Sequence, residues 1–458
     1  LITEQKQISH IVNVHERCGT EIEFIPTEQW FIKILDKKKE LIEQGEKINW
    51  HPKFMFKRYE NWINGLEWDW NISRDRYFGI PIPVWYCEKC NEIITPEEKE
   101  LPIDPTNVKK KCPKCKGNAI PEEKVLDTWA TSSISPQLAS GLIDNKIKVP
   151  FSLRPQAHDI IRTWAFYTIT RSLLHENKLP WKDITISGFV TLKGEKMSKS
   201  KGNVITPQKV IEKYSGDSIR YWAAGSKLGE DLDYQENDVI TGKKFATKIL
   251  NATNFIFTNL KYQKTKPELL ETDRIFLTQL NNLIDSSTKA FDEYNYAKAK
   301  LDTDTFFWNS FSDNYLEIVK NRVYNGSDKE KASAFYTLYQ SLLTILKLMA
   351  PITPFITEEI YQTHFVKNEK QKSIHLERWP EKFDIKELKQ DKEKWNKLIE
   401  IVTEVRKEKS LAKKSMKTEI ILTLDKKTQE EIKDLLNDLK SVTNAKEIKT
   451  GNLDIKIL

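Results

Sequence analysis

Four cysteines stand in two matched pairs, Cys87-x2-Cys90 within "WYCEKC" and Cys112-x2-Cys115 within "KKCPKCKG". Each pair can present two thiolates on a single turn, and two such turns close the tetrahedral sulfur set that Zn²⁺ prefers. The doubled spacing sets them apart from four unrelated buried cysteines. Four thiolates leave no open coordination position, so the pattern predicts a structural Zn²⁺ site rather than a catalytic one. Binding of order 10–16 kcal/mol would hold a loop with little core of its own. The fifth cysteine, Cys18, follows His15 by three residues. It could be half of a second site, but its mates are not in view, and a lone pair reads as ordinary surface chemistry.

A second stretch is loaded differently. "GEKMSKSKGNVI", Gly194 to Ile205, holds three lysines, two serines and two glycines, with only Met197, Val204 and Ile205 apolar. Such a segment cannot build a core. It follows a strand-like run, "DITISGFVTL", and ligands of open α/β sheets sit at the carboxyl ends of strands. Gly194 and Gly202 permit positive φ at either end of the loop. Lys196 and Lys199 can set point charges on phosphate oxygens, and Ser198 and Ser200 can donate hydrogen bonds. A solvated basic loop is the plain alternative. The order of residues, directly after a buried-looking strand, favours an anion site.

The elements that must position these groups follow from composition and periodicity. At 458 residues the chain is too long for one compact domain. Its 39% hydrophobic and 10% aromatic content suffices for packed cores. A net charge of +7 and a pI near 8.8 favour a polyanionic partner over a membrane, and no apolar run approaches eighteen residues. Paired cysteine spacing fits a reducing compartment, the cytoplasm. Residues 26–86 are mixed, with a helical stretch at "QWFIKILDKKKELIEQG"; residues 87–122 form the cysteine insert. Strand and helix alternate over 123–240, which predicts a parallel α/β sheet. Apolar residues at i, i+3, i+4 predict a helical bundle over 241–385. Residues 390–458 read as a small basic α+β tail.

The order "KMSKS" after that strand resembles the signature of class I aminoacyl-tRNA synthetases, and the chain resembles the valyl branch of archaeal type. "DWNISRDRYFGIPIPVWYC", "VLDTWATSSISP", "RPQAHDIIRTWAFY", "PWKDITISGFVTLKGEKMSKSKGNVITP", "DNYLEIVKNR" and "MAPITPFITEEIY" follow in family order. The resemblance implies activation of valine by ATP and its transfer to tRNA(Val), with Mg²⁺ assisting. Trp129, Asp159, Ile160 and Trp164 would line the valine pocket. Gln156, Asp159, Gly188, Val190 and Lys199 would hold ATP, with Gly188 and Val190 facing adenine. Lys196, Ser198, Lys199 and Ser200 would stabilise the departing pyrophosphate.

The family also carries a "HIGH" motif and an editing domain, neither of which is found in this sequence. The expected fold is therefore α/β plus all-α: the second half of a nucleotide-binding Rossmann-like domain with a zinc-ribbon insert, then an anticodon-binding bundle and the tail. Residues 1–25 would be the exit of the editing insertion. Either the chain is a truncated gene product, or a partner chain carrying the HIGH-bearing half would complete the enzyme. The rival readings are a tRNA-binding module without catalysis and an isoleucine-specific relative. Lys243, Lys244, Lys248, Lys320 and Arg322 in the bundle, and Lys407, Lys409, Lys413 and Lys414 in the tail, are the candidate exposed cations for RNA.

Overall fold

The computed structural model describes residues 3–15, 18–144, 146–198, 202–263 and 265–458. The chain divides into two units: residues 1–189, 198–203 and 228–231 make the first, and residues 190–197, 204–227 and 232–458 the second.

The first unit is built on a short parallel sheet. β1 (Asn49–His51) and β2 (Phe151–Ala157) flank β3 (Trp181–Ser187). The central strand buries Trp181, Ile184 and Ile186, as a strand covered on both faces must. Helices α1 (Phe56–Asn64) and α2 (Phe166–Glu176) supply Tyr59, Ile63, Phe166 and Ile169 to the same core. Trp62 meets Phe166 edge-on, with ring centroids 6.4 Å apart. Asn177 ends α2 in the left-handed conformation, the usual helix stop.

The expected fold class needs correction here. The sequence predicts a half-domain whose sheet comes from residues 123–240. The sheet is instead assembled from both sides of the cysteine insert, because β1 lies ahead of it. Together with α1 and α2 it makes a Rossmann-like core with its own apolar cluster. A three-residue strand with one buried side chain, Trp50, is too short for alternation to register in the sequence.

The cysteine insert is an antiparallel ribbon in which Trp85–Cys87 pairs with Ile93–Ile94 and Ala119–Pro121. Its buried core is only Trp85, Cys87, Ile94 and Cys112. That is little for a domain of this size, as the need for a metal staple requires.

The second unit is helical. α3 (Glu236–Asn259), α4 (Glu271–Asp292), α5 (Leu316–Asn325), α6 (Asp328–Met349) and α7 (Pro354–His364) pack around one apolar core. α6 opens on a capping box formed by Ser327 and Glu330, which satisfies two orphan donors at once. α8 (Asp391–Leu411) adds Trp395, Leu398 and Val402 to that core. The tail follows as a three-stranded sheet with β4 (Ile420–Leu424) between β5 (Ala445–Thr450) and β6 (Asp454–Ile457), with α9 (Leu436–Thr443) against it. Ile420, Leu422 and Leu439 belong to the bundle's core. β5 is absent from the sequence reading because only Ala445 in it is buried. Among the described residues no helix is long and apolar enough to cross a membrane.

Candidate active site and metal centre

The two cysteine turns are conformational copies. Asn91 follows Cys90 at φ 54°, and Lys116 follows Cys115 at φ 59°. Asn91 N–H donates to Cys87 O and Lys116 N–H to Cys112 O, each at 2.9 Å. These tight turns turn the thiols inward. Cys87 and Cys115 Sγ lie 3.4 Å apart, Cys90 and Cys112 Sγ 3.6 Å, and all four Sγ atoms lie within 4.8 Å of one another. Zn–S bonds of about 2.3 Å at tetrahedral angles demand an S–S separation of roughly 3.8 Å, so the sulfur set fits the ion. Burial opposes ionisation of Cys87, but N–H groups of Cys90 and Lys89 outweigh it and bring that thiol down to about 6. Cys90 is pushed up to about 12: the Glu92 N–H pulls it down, but the neighbouring thiols and burial prevail. Bare sulfurs at this spacing cannot all be thiolates, which is the repulsion a divalent cation removes. Cys18 is exposed, with His15 Nδ1 at 3.2 Å and Thr20 Oγ1 at 3.1 Å. No third metal-capable group joins them among the described residues.

In the first unit, the carboxyl ends of β2 and β3 bring together Gln156, Ala157, His158 and Asp159 with Ser187, Gly188 and Phe189. Asp231 ties the two strand ends. Its Oδ1 accepts from Phe189 N–H at 2.7 Å and lies 3.3 Å from His158 Nε2. The Phe189 N–H is the main reason the carboxylate sits below its ordinary range, with His158 adding to it. His158 meets Phe189 edge-on at 4.4 Å. Gly188 is required by space: a Cβ there would collide with the Glu230 carbonyl and the Asp231 nitrogen. Backbone cannot rotate away, so Gly188→Ala is expected to cost about 1–3 kcal/mol or more. Thermal melting at the parent temperature would show that this close approach does not constrain the fold.

The expected apolar wall is partly assembled. After β2 the chain makes a 3₁₀ turn, His158–Ile160, then a π-type turn, Ile161–Ala165, before α2 begins. The sequence predicts one regular helix there. π turns are rare but frequently fall at functional sites, and Trp164 lies within this one. Trp164 Nε1 donates to Ser132 O at 3.3 Å, joining the ring to the Thr128–Ser132 helix that carries half-buried Trp129. Asp159 is exposed and Ile160 half-buried. Gln156 is buried, with Oε1 unpartnered. Sequence reasoning missed Arg154, whose guanidinium lies 2.9 Å from the Trp164 ring centroid and 5.3 Å from that of Trp181. Burial lowers its pKa to about 10.

The lysine segment begins, in the second unit, as a hairpin. Thr191 pairs with Lys196 and Leu192 with Glu195. Between them Lys193 at φ 53° and Gly194 at φ 78° make the mirror-image turn that suits twisted strands. Asp233 Oδ1 accepts from Thr191 Oγ1 at 2.8 Å and Gly194 N–H at 3.0 Å, clamping the turn. Asp231 and Asp233 alternate in "EDLDYQ", a strand signal that could have flagged both. Exposed Val190 starts the hairpin and exposed Lys196 ends it. Described within the first unit, Ser198 N–H donates to Asn203 Oδ1 at 2.8 Å. Lys199 and Ser200 lie outside the described residues.

Two candidate RNA cations are corrected. Arg322 is 4% exposed and paired with Asp273. Lys409 is 1% exposed, its ammonium donating to the carbonyls of Met416 and Thr443. Lys243, Lys244, Lys413 and Lys414 are exposed. Lys248 contacts Asp313, Lys320 contacts Glu317 and Lys407 contacts Glu404.

Comparison with known proteins gives two family matches: tRNA synthetases class I (I, L, M and V) over residues 4–235, and the anticodon-binding domain of tRNA ligase over residues 273–424. A valine–tRNA ligase of Picrophilus torridus is 40% identical over 99% of this chain and 58% of its own length. One of Rickettsia felis is 42% identical over 100% of this chain and 56% of its own. The chain thus spans just over half the length of the curated relatives it matches. Among solved structures, a methionyl-tRNA synthetase of Mycobacterium tuberculosis aligns at TM-score 0.57 and 16% identity, over 77% of this chain and 65% of that one. A LeuRS–tRNA–LeuAMS complex of Agrobacterium radiobacter aligns at 0.54 and 20%, over 69% and 42%. Both show the fold alone. The class I synthetase match spans residues 4–235. It overturns the expectation of a carboxyl-terminal portion restricted to the second half of the nucleotide-binding domain. The missing "HIGH" tetrapeptide misled because a short signature weighs less than a match over more than two hundred positions.

Proposed function

The chain belongs to the class I tRNA synthetases, and from that premise we propose that it activates valine with ATP and transfers it to tRNA(Val) in the cytoplasm. The observation that carries the choice of valine is the likeness to valine–tRNA ligases along 92–100% of this chain. In the reaction a valine carboxylate oxygen bonds to the α-phosphorus of ATP as the bond to the bridging oxygen breaks and pyrophosphate departs. The 3′-terminal ribose hydroxyl of tRNA then takes the valyl group, releasing AMP. Asp159 would hold the valine ammonium or a ribose hydroxyl at the end of β2. Trp129, Ile160 and Trp164 would enclose the isopropyl group. Gln156, Gly188 and Val190 would receive the adenylate. Lys196 and Lys199, with Ser198 and Ser200, would neutralise the charge that builds on pyrophosphate. Mg²⁺ arriving with ATP would add further positive charge there. The helical domain of the second unit would take the anticodon.

Valine-dependent ATP–pyrophosphate exchange by the purified chain is the direct test. Exchange that responds to isoleucine instead, or to no amino acid while tRNA still binds, would overturn the reading in favour of an isoleucine enzyme or a tRNA-binding module.

Zn²⁺ on Cys87, Cys90, Cys112 and Cys115 is proposed as a structural staple. Metal analysis is expected to return one zinc per chain, and Cys112→Ser to lose it and loosen the insert to proteolysis. Four freely titratable thiols in metal-free, protease-resistant protein would refute this.

A further inference from the structure

Arg154 stands in β2, where its backbone pairs with Ile184 of β3, and its side chain runs among aromatic faces. The guanidinium carbon lies 2.9 Å from the Trp164 ring centroid and 5.3 Å from that of Trp181, both within the roughly 6 Å reach of cation–π attraction. Nε and Nη2 are buried without an acceptor, and among the described residues no carboxylate pairs with the group. Burial alone acts on its charge, drawing the pKa down to about 10. Taking an unpaired cation out of water is costly, and an apolar side chain of the same length would pack here without that cost. What the guanidinium adds is a rigid plane, which stacks on an indole as no aliphatic chain does.

Trp164 Nε1 donates to Ser132 O at 3.3 Å. A single bond at one edge lets an indole tilt about it, and a cation seated on the face of the ring opposes the tilt. Trp164 stays half-buried all the same, so surface of the ring remains for a ligand. Ser132 ends the helix that carries Trp129, so the two tryptophans assigned to the amino-acid pocket are tied to each other through that bond. A wall that tilts changes the room in the pocket, and one methylene is all that separates the side chain of valine from that of isoleucine.

We infer that Arg154 is a positioning residue for the amino-acid pocket: it holds the Trp164 indole in place and thereby sets the discrimination between valine and the larger isoleucine. The inference rests on the synthetase reading above. Arg154→Ala, Arg154→Met and Arg154→Lys in the full chain are assayed by ATP–pyrophosphate exchange with each amino acid. Arg154→Ala is expected to raise KM for valine about tenfold and to lower the valine-to-isoleucine ratio of kcat/KM about tenfold, the scale of one methylene in an apolar pocket. KM for ATP should shift less than about twofold. Arg154→Met, which keeps an unbranched stem without plane or charge, should match Arg154→Ala in selectivity at a melting temperature nearer the parent's. Arg154→Lys should recover part of the ratio through its charge. In Trp164→Leu, adding Arg154→Ala should cost less than about twofold more, since the arginine then has no ring to hold. Independently of activity, the Trp164 indole N–H resonance, identified by its loss in Trp164→Leu, should shift and broaden in Arg154→Ala. A selectivity ratio unchanged in Arg154→Met would overturn the proposal and leave the arginine as packing. A raised KM for ATP at unchanged selectivity would overturn it in favour of a nucleotide contact. Additive losses in the double variant would overturn action through Trp164. Failure of the parent to exchange with valine would instead strike the synthetase reading. The Trp164 resonance would still decide whether Arg154 holds the ring, and an unchanged line would refute that.

Discussion

Arg322→Ala is expected to lower the stability of the second unit by roughly 3–5 kcal/mol, a fall of about 6–20 °C in melting temperature. The guanidinium donates to both oxygens of Asp273, at 2.7 and 2.8 Å. Its Nε lies 2.9 Å from Asp438 Oδ1 as an ion pair rather than a directed hydrogen bond. Asp273 is wholly buried, and also accepts from Tyr315 at 2.6 Å and from Ser333. One cation therefore serves two buried carboxylates drawn from α4 and α9. Burial works against the Arg322 charge, but Asp273 outweighs it and holds the group above its ordinary range. Truncation leaves both carboxylates without their cation, and that stranded charge is most of the cost. Asp438 already titrates above its ordinary range because of burial. A raised folded pKa means that protonation favours the fold: the gain is full below the unfolded value of about 3.9 and disappears as pH rises through the folded one. The variant's deficit should accordingly shrink on acidification. The double variant Arg322→Met, Asp273→Leu should recover part of the loss. Lys427→Ala, at an exposed pair with Glu431, should leave melting unchanged. Equal melting of Arg322→Ala and parent would refute the network's role.

The same residue shows where sequence reading stops. "EIVKNRVY" places Arg322 on an amphipathic helix among other charges, and nothing local marks it as buried. Its partners lie 49 residues back and more than a hundred ahead, and only folding brings them together. Lys409 is hidden for the same reason, its acceptors being carbonyls rather than acidic side chains. The cysteine site was legible because its signal is spacing, which is local. Asp159, Trp164 and Gly188 were legible only through family resemblance. Periodicity alone assigned the first two to a regular helix, whereas a π turn intervenes. β1 was illegible because three residues carry no period. Arg154 was illegible because its neighbours are aromatic faces, which no charge pattern announces.

Lys196→Ala is expected to slow valyl-adenylate formation by about 10²–10³, the usual consequence of removing one preorganised donor from developing charge. The residue ends a hairpin whose turn is locked by two positive-φ positions and by the Asp233 clamp. Lys196 pairs with Thr191 in the hairpin, which holds its backbone in place. A charge needed mainly as pyrophosphate departs contributes little to holding valine. The loss should therefore appear in kcat with KM for valine within a few-fold. Lys196→Arg keeps the charge but replaces a compact ammonium with a broad fork, so it should recover only part of the rate. Asp233→Ala should fall between parent and Lys196→Ala, since it frees the turn without removing the charge. These are read by pyrophosphate exchange at saturating valine and by single-turnover adenylate formation. If Lys196→Ala instead raised KM for valine at unchanged kcat, the lysine would be a substrate-holding residue, and pyrophosphate stabilisation would have to come from another group.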